Sequence, residues 1–345
     1  MKKVTYVALD VHPHKIVAMW GRAQEMPRTM KVGESAQELQ RLRTEVGPGE
    51  VWVTYEASSC GFVLYDRLSA WGWKAWVLAP TKMARSVRSV KRKTDLEDVK
   101  RQWELMVAHG ELGTSLPSVW VPPVKTREDR ELVRHRLWLA EEQGRIKTKI
   151  RSLLRMHGIE SPIEEKSLWT KQGLAWLKGL EARLARSLST VLGSHLRMLA
   201  TLKEEIGKLD EEIERLSQED PYRVPIEAAM TEKGVGRLTA MTFATEIGDV
   251  KRFENRKQLG SYLGLTPTSY ESGQATDRKG HISRMGPYRI RKVLNQAAWA
   301  YVRTRSERRA WYEAMAKRRG KKKALVAVMR ELGILIWHRM RDAVA

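Results

Sequence analysis

A chain of 345 residues with 42% hydrophobic content is long enough for two or three domains, each with its own core. Its 63 Lys and Arg against 41 Asp and Glu give a formal net charge of +22, which points to a polyanionic partner, nucleic acid first and an anionic membrane second. No apolar run of about 18 residues occurs, the charged N-terminus lacks a signal peptide's apolar core, and the single cysteine, Cys60, excludes an intramolecular disulfide and multi-cysteine zinc sites, so a cytoplasmic, non-membrane protein is expected.

Along the chain, Val4 to Asp10 (VTYVALD) is β-branched and apolar and reads as a buried strand. Ile16 to Trp20 pairs with it as a hairpin across HPHK, and Thr29 to Val32 adds a third strand. Ser35 to Val46 has helical periodicity, with Ser35 as N-cap and Glu38 three residues on. Val51 to Tyr55 and Lys74 to Leu78 are further strands, separated by a helix from Gly61 to Trp71 and followed by the basic helical segment KRKTDLEDVKR. This order matches a ribonuclease-H-like α/β domain over residues 1–123, closed by the helix-breaking stretch PSVWVPP.

Residues 124–222 read as a helical region. Leu132, Leu139, Ile146 and Leu153 recur every seven residues, and Leu202, Ile206, Leu209, Ile213 and Leu216 form an a/d seam, so an antiparallel helical pair or a short coiled coil is expected. After a second break at SQEDPYRVP, residues 223–345 form another helical and very basic unit. The fold class is therefore multidomain, α/β followed by α. Of the 13 tryptophans, Trp52, Trp71 and Trp76 are expected in the core; Trp120, Trp138 and Trp169 either pack or stack on bases.

The chemistry-bearing residues are four acids. Asp10 ends the first strand, Glu56 ends the strand VWVTY, and Asp95 and Asp98 share one helical face because residues three apart are neighbours there. In a ribonuclease-H-like sheet the two strand ends lie side by side, and the later helix could bring Asp95 and Asp98 over the same spot. Four crowded carboxylates repel unless cations bind them. Hard oxygen ligands of this kind suit Mg2+ or Mn2+, and such ions assist phosphoryl transfer. Lys91, Arg92 and Lys93 would hold a polyanion alongside. The plainer alternative is a turn-forming Asp at a strand end and surface ion pairs on a charged helix.

The segments LDVHPHK, TYEASSCGF and KTDLEDVKR resemble the three signature segments of the DEDD transposases of the insertion-sequence-110 family, which the Piv-type invertases share. The resemblance implies a RuvC-like N-terminal domain with metal-binding acids at Asp10, Glu56, Asp95 and Asp98, and a C-terminal transposase domain. EKGVGRLTAMTFATEIGDVKRFENRKQLGSYLGLTP resembles the family's second signature region. On its own residues, GVGRLTA reads as a helix-hairpin-helix turn in which Gly234 and Gly236 let backbone N–H groups meet a phosphate, or as a plain tight turn.

The family's Ser-Gly pair after GLxP implies a nucleophile at Ser272, with Ser269 and Ser283 as neighbours that the residues alone do not separate from it. Gln274 replaces a glycine that the family often has there, while Arg284, Arg289, Arg291 and Lys292 keep the segment basic and suited to nucleic acid. The resemblance further implies a structured bridge RNA that pairs with donor and target DNA. It implies homodimers that join into a homotetramer, and a phosphoserine–DNA intermediate. A Holliday-junction-type nuclease using the acids alone, and a protein-read invertase without a guide RNA, are the alternatives.

Overall fold

The computed structural model describes residues 3–83, 94–269, 279–304 and 306–345. Ser272, Lys91, Arg92 and Lys93 lie outside the described residues. The chain divides into two compact units, Met1–Val121 and Pro122–Ala345.

The first unit carries strands β1 (Val4–His12), β2 (Lys15–Gly21) and β3 (Arg28–Val32), helix α1 (Ala36–Val46), strand β4 (Glu50–Glu56), helix α2 (Val63–Ala70), strand β5 (Lys74–Leu78), helix α3 (Asp95–Leu112) and the short strand β6 (Ser118–Val119). The sheet order is β3-β2-β1-β4-β5-β6. β1, β4 and β5 are parallel, whereas β2, β3 and β6 run antiparallel to their neighbours.

Both sheet faces are covered, which is why VTYVALD shows no polar alternation. Val7 and Leu9 face α1 and α2, with Val53, Tyr55, Leu39, Leu42 and Leu68. Tyr6 and Ala8 face α3, with Val17, Met19, Val99, Trp103 and Met106. Helix α1 begins as its sequence foretells, the Ser35 hydroxyl accepting from the Glu38 N–H at 3.2 Å.

Helix α3 lies close on its sheet face. The Trp103 indole donates to the Tyr6 carbonyl at 3.1 Å, and the Tyr6 hydroxyl donates to Glu111 at 2.7 Å. A Cβ at Gly110 would sit 2.2 Å from that hydroxyl, so this approach admits no side chain there. The predicted break PSVWVPP contains β6, which adds a sixth strand at the β5 edge.

The second unit is helical apart from a small hairpin. It comprises α4 (Val124–Met156), α5 (Lys171–Glu181), α6 (Arg186–Ser217), α7 (Arg223–Met230), α8 (Arg237–Ile247), α9 (Arg256–Tyr262), strands β7 (Pro267–Ser269) and β8 (Lys279–Ile282), and α10 (Tyr288–Thr304), α11 (Ser306–Arg319) and α12 (Lys321–Ala343). Helices α4 and α6 form an antiparallel pair. Arg136 meets Asp210 at one level, while Ile146, Ile150 and Leu154 pack with Leu192, Leu196 and Leu199 at another, where α5 adds Leu177 and Leu180.

At the opposite ends of that pair, Val133, Leu137, Ile213 and Leu216 belong to the core of the C-terminal helices. That core is built round α8, whose residues Ala240 to Ile247 are all buried. Its glutamate, Glu246, is only 3% exposed and takes a bidentate pair of bonds from Arg134, Nε to Oε1 at 2.8 Å and Nη2 to Oε2 at 2.9 Å. Arg130 donates from Nε to the Thr245 carbonyl at 2.8 Å. None of the described helices is long and apolar enough to cross a membrane.

Candidate active site

Parallel pairing of β1 with β4 runs from Val4 opposite Glu50 to Leu9 opposite Tyr55. The next residues are Asp10 and Glu56, which therefore end adjacent strands side by side. Side chains alternate along a strand, so both acids belong to the face that α3 covers. Helix α3 starts at this edge, its N-cap Thr94 accepting from the Glu97 N–H at 3.3 Å, which fixes the first turn carrying Asp95 and Asp98.

Asp10 and Asp95 meet, and His12 joins them. One ligating atom from each of the three lies within 4.8 Å of the others. His12 Nε2 is 2.9 Å from Asp10 Oδ2 and 3.5 Å from Asp95 Oδ1. Lys15, 80 residues away in sequence, donates from Nζ to Asp95 Oδ2 at 2.5 Å. Asp98 and Glu56 are half-buried and stand outside the three-residue group.

The electrostatics follow from this placement. Asp10, 13% exposed, has its pKa raised, chiefly by burial; the His12 bond opposes the rise and the charges of Asp95 and Asp98 add to it. Asp95 is 43% exposed and held below the ordinary carboxylate range, chiefly by the hydrogen bond from Lys15. The acid cluster is thus bonded by a half-exposed ammonium and a half-exposed imidazole rather than by a buried arginine.

His12 and Lys15 were not among the expected site residues. They face each other across the β1–β2 turn, where His14 takes a left-handed φ of 72°. The hairpin itself was expected from HPHK, and a residue two on from Asp10 must share its sheet face, so the signal for His12 was present.

The C-terminal candidates have varied settings. Gly234 has φ 87° and lies against α10, where a Cβ would come within 2.8 Å of the Ala297 carbonyl oxygen, whereas Gly236 is the open N-cap of α8. The Arg291 guanidinium donates to the carbonyls of Leu263, Arg284, Met285 and Gly286, so its hydrogen-bonding capacity goes into pinning the 284–286 loop. Lys292 pairs with Glu141 at 2.7 Å. Arg284 is exposed, and Arg289 lies over the Tyr288 ring at 4.8 Å. The Ser283 hydroxyl oxygen is buried and has no hydrogen-bond partner among the described residues.

Comparison with known proteins adds the family. Residues 226–313 match the transposase IS116/IS110/IS902 family, a segment that contains Gly234, Gly236, Ser272 and the four basic candidates. The chain is 28% identical over 369 residues to y4qE, a protein of Sinorhizobium fredii with a transposase name, covering 98% of this chain and 89% of that one. It is 24% identical to the transposase for insertion sequence element IS1533 of Leptospira borgpetersenii (87% of this chain, 86% of the relative) and 26% identical to that for IS1111A of Coxiella burnetii (79% and 73%). A basic, two-unit chain with these relatives is a DNA transposase. Its residues 226–313 carry the signature of the IS116/IS110/IS902 transposase family, and its similarity to transposases of insertion sequences extends over most of the chain.

Proposed function

We propose that this transposase cuts and rejoins DNA with a divalent-metal site on Asp10, Glu56, Asp95 and Asp98 of a RuvC-like, ribonuclease-H-like unit, and with Ser272 as nucleophile. An element-encoded bridge RNA selects the DNA. The observation that carries this reading is the approach of Asp10 to Asp95 with His12, three donors within 4.8 Å of one another. Carboxylate oxygens are the donors that Mg2+ and Mn2+ prefer, and an imidazole nitrogen is acceptable to Mn2+. When bound, the ion would supply charge neutralisation at the scissile phosphate.

The chain's own residues do the rest. Asp10 and Asp95 hold the cation from two elements, while the His12 bond orients the Asp10 carboxylate. The Ser272 hydroxyl loses its proton and its oxygen attacks phosphorus. A serine–phosphate bond forms, the bond to the 3′ oxygen breaks, and that oxygen leaves as a hydroxyl. Attack by a 3′-hydroxyl in the reverse direction releases the serine and rejoins DNA, so bond energy is conserved. By the family resemblance, homodimers pair into a homotetramer that brings the acids of one subunit to the serine of another, and the α4–α6 pair carries the dimer contact.

The test is a protein–DNA adduct that survives denaturation. Ser272→Ala is expected to abolish it, and Ser269→Ala and Ser283→Ala to retain it. Cutting that persists in Ser272→Ala would mean a Holliday-junction-type nuclease instead. Recombination without a co-purifying RNA would mean a protein-read invertase.

A further inference from the structure

We infer that the groove between the β2–β3 edge and the start of α3 seats the DNA strand entering the carboxylate site, with Lys31 and Lys15 as its phosphate contacts; this rests on the function proposed above. The groove has a volume of about 600 Å³ and is lined by Lys15, Val17, Thr29, Lys31, Thr94 and Asp95, among others. It therefore opens directly on one of the acids.

Register places these side chains. Asp10 pairs with Val17, and Val17 pairs with Lys31, so the three form one row across β1, β2 and β3 on the face that α3 covers. Lys31 stands two strands from Asp10, about 10 Å, which spans on the order of three nucleotides of a strand. Lys15 and Thr29 lie two residues from Val17 and Lys31 and share that face. Leu96, 53% exposed, supplies an apolar wall for sugar and base.

Two observations give the groove a direction. Lys31 is exposed and has no ion-pair partner among the described residues, so its ammonium is available to a phosphate. Lys15 is engaged by Asp95 at 2.5 Å. A phosphate in the groove is an alternative partner for that ammonium, and passing Lys15 to it would leave Asp95 open to hold a cation. Strand entry and release of Asp95 are then one exchange of partners. The opening onto Asp95 favours the DNA strand that is cut over a guide RNA strand.

The experiment measures binding of a fluorescein-labelled single-stranded DNA of about 12 nucleotides to the full chain in a chelating buffer, across a salt series, with an RNA of the same sequence in parallel. Lys31→Ala is expected to weaken DNA binding about three- to tenfold and to lower the salt slope by about 0.7, the value of one phosphate contact on a single strand. Arg41→Ala removes an equal exposed charge from α1 on the opposite side of the sheet and is expected to change neither. Equal losses in the two variants, an unchanged Lys31→Ala, or a loss seen with RNA alone would overturn the inference.

For Lys15, Asp95→Asn is expected to tighten DNA binding by freeing the ammonium. In a Lys15→Met background that gain should fall at least about threefold. Equal gains in both backgrounds would overturn the exchange. Because binding is read in chelator, it is independent of the serine adduct that tests the proposed function.

Discussion

Each unit holds a conspicuous cluster of acid and base, and the two are built on opposite principles. Glu246 is 3% exposed and matched by the Arg134 fork. The carboxylate is withdrawn from water and takes two parallel bonds from a guanidinium that is 29% exposed, so the pair ties α4 to α8. Asp95 is 43% exposed, and its partners Lys15 and His12 are 42% and 43% exposed. Water competes for these groups, so their ion pairs contribute little to stability and can be exchanged. Burial and a bidentate guanidinium make an acid structural, whereas a half-exposed acid bonded to a half-exposed ammonium stays available.

The largest effect comes from breaking the structural cluster. Glu246→Ala takes the counter-charge from Arg130, leaves Arg134 only the exposed Glu131, and should cost about 3 kcal/mol in urea unfolding. A smaller loss of under about 1 kcal/mol would show that water reaches α8. Next, Asp95→Asn should reduce DNA cutting at least about 100-fold while leaving the unfolding midpoint nearly unchanged, since its ion pair is exposed. A variant that lost stability along with activity would erase the contrast.

Gly110→Ala pushes a methyl into the Tyr6 ring and should cost about 1–3 kcal/mol, with α3 displaced from its sheet; near-ultraviolet circular dichroism, to which Trp103 contributes through the indole that bonds the Tyr6 carbonyl, would register the shift. The smallest change is Thr94→Ala, which removes the N-cap of α3 and should cost about 1 kcal/mol. Its effect on cutting should exceed its effect on stability, because Asp95 and Asp98 sit in the turn that the cap holds.

Much of this contrast was readable from sequence on one side only. Strands β1, β4 and β5 announce themselves by β-branched apolar runs, and Ser35 and Glu38 mark the start of α1. The Asp95–Asp98 spacing is a local helical property. His12 and Lys15 acquire meaning only when the hairpin meets a helix 80 residues on, a contact with no local trace.

The pairing of Glu246 with Arg134 is hidden for the same reason, since 112 residues separate them. In α4 the heptad through Leu132, Leu139, Ile146 and Leu153 drifts, leaving Leu132 and Leu153 half-buried while Val133, Leu137, Ile150 and Leu154 are buried. A straight helix advances 3.6 residues per turn, so a strict seven-residue reading slides off the buried stripe. β6 was missed because two residues between prolines carry too little pattern to register as a strand.

The contact between Gly110 and Tyr6 has a mechanical consequence. It lies about 22 Å along α3 from Asp95, by the rise of a helix. A stiff rod clamped at its far end works as a pointer, and its tip carries the acids. Any tilt introduced at the clamp swings the tip, so the aim of the chemistry is calibrated by a glycine that touches none of it.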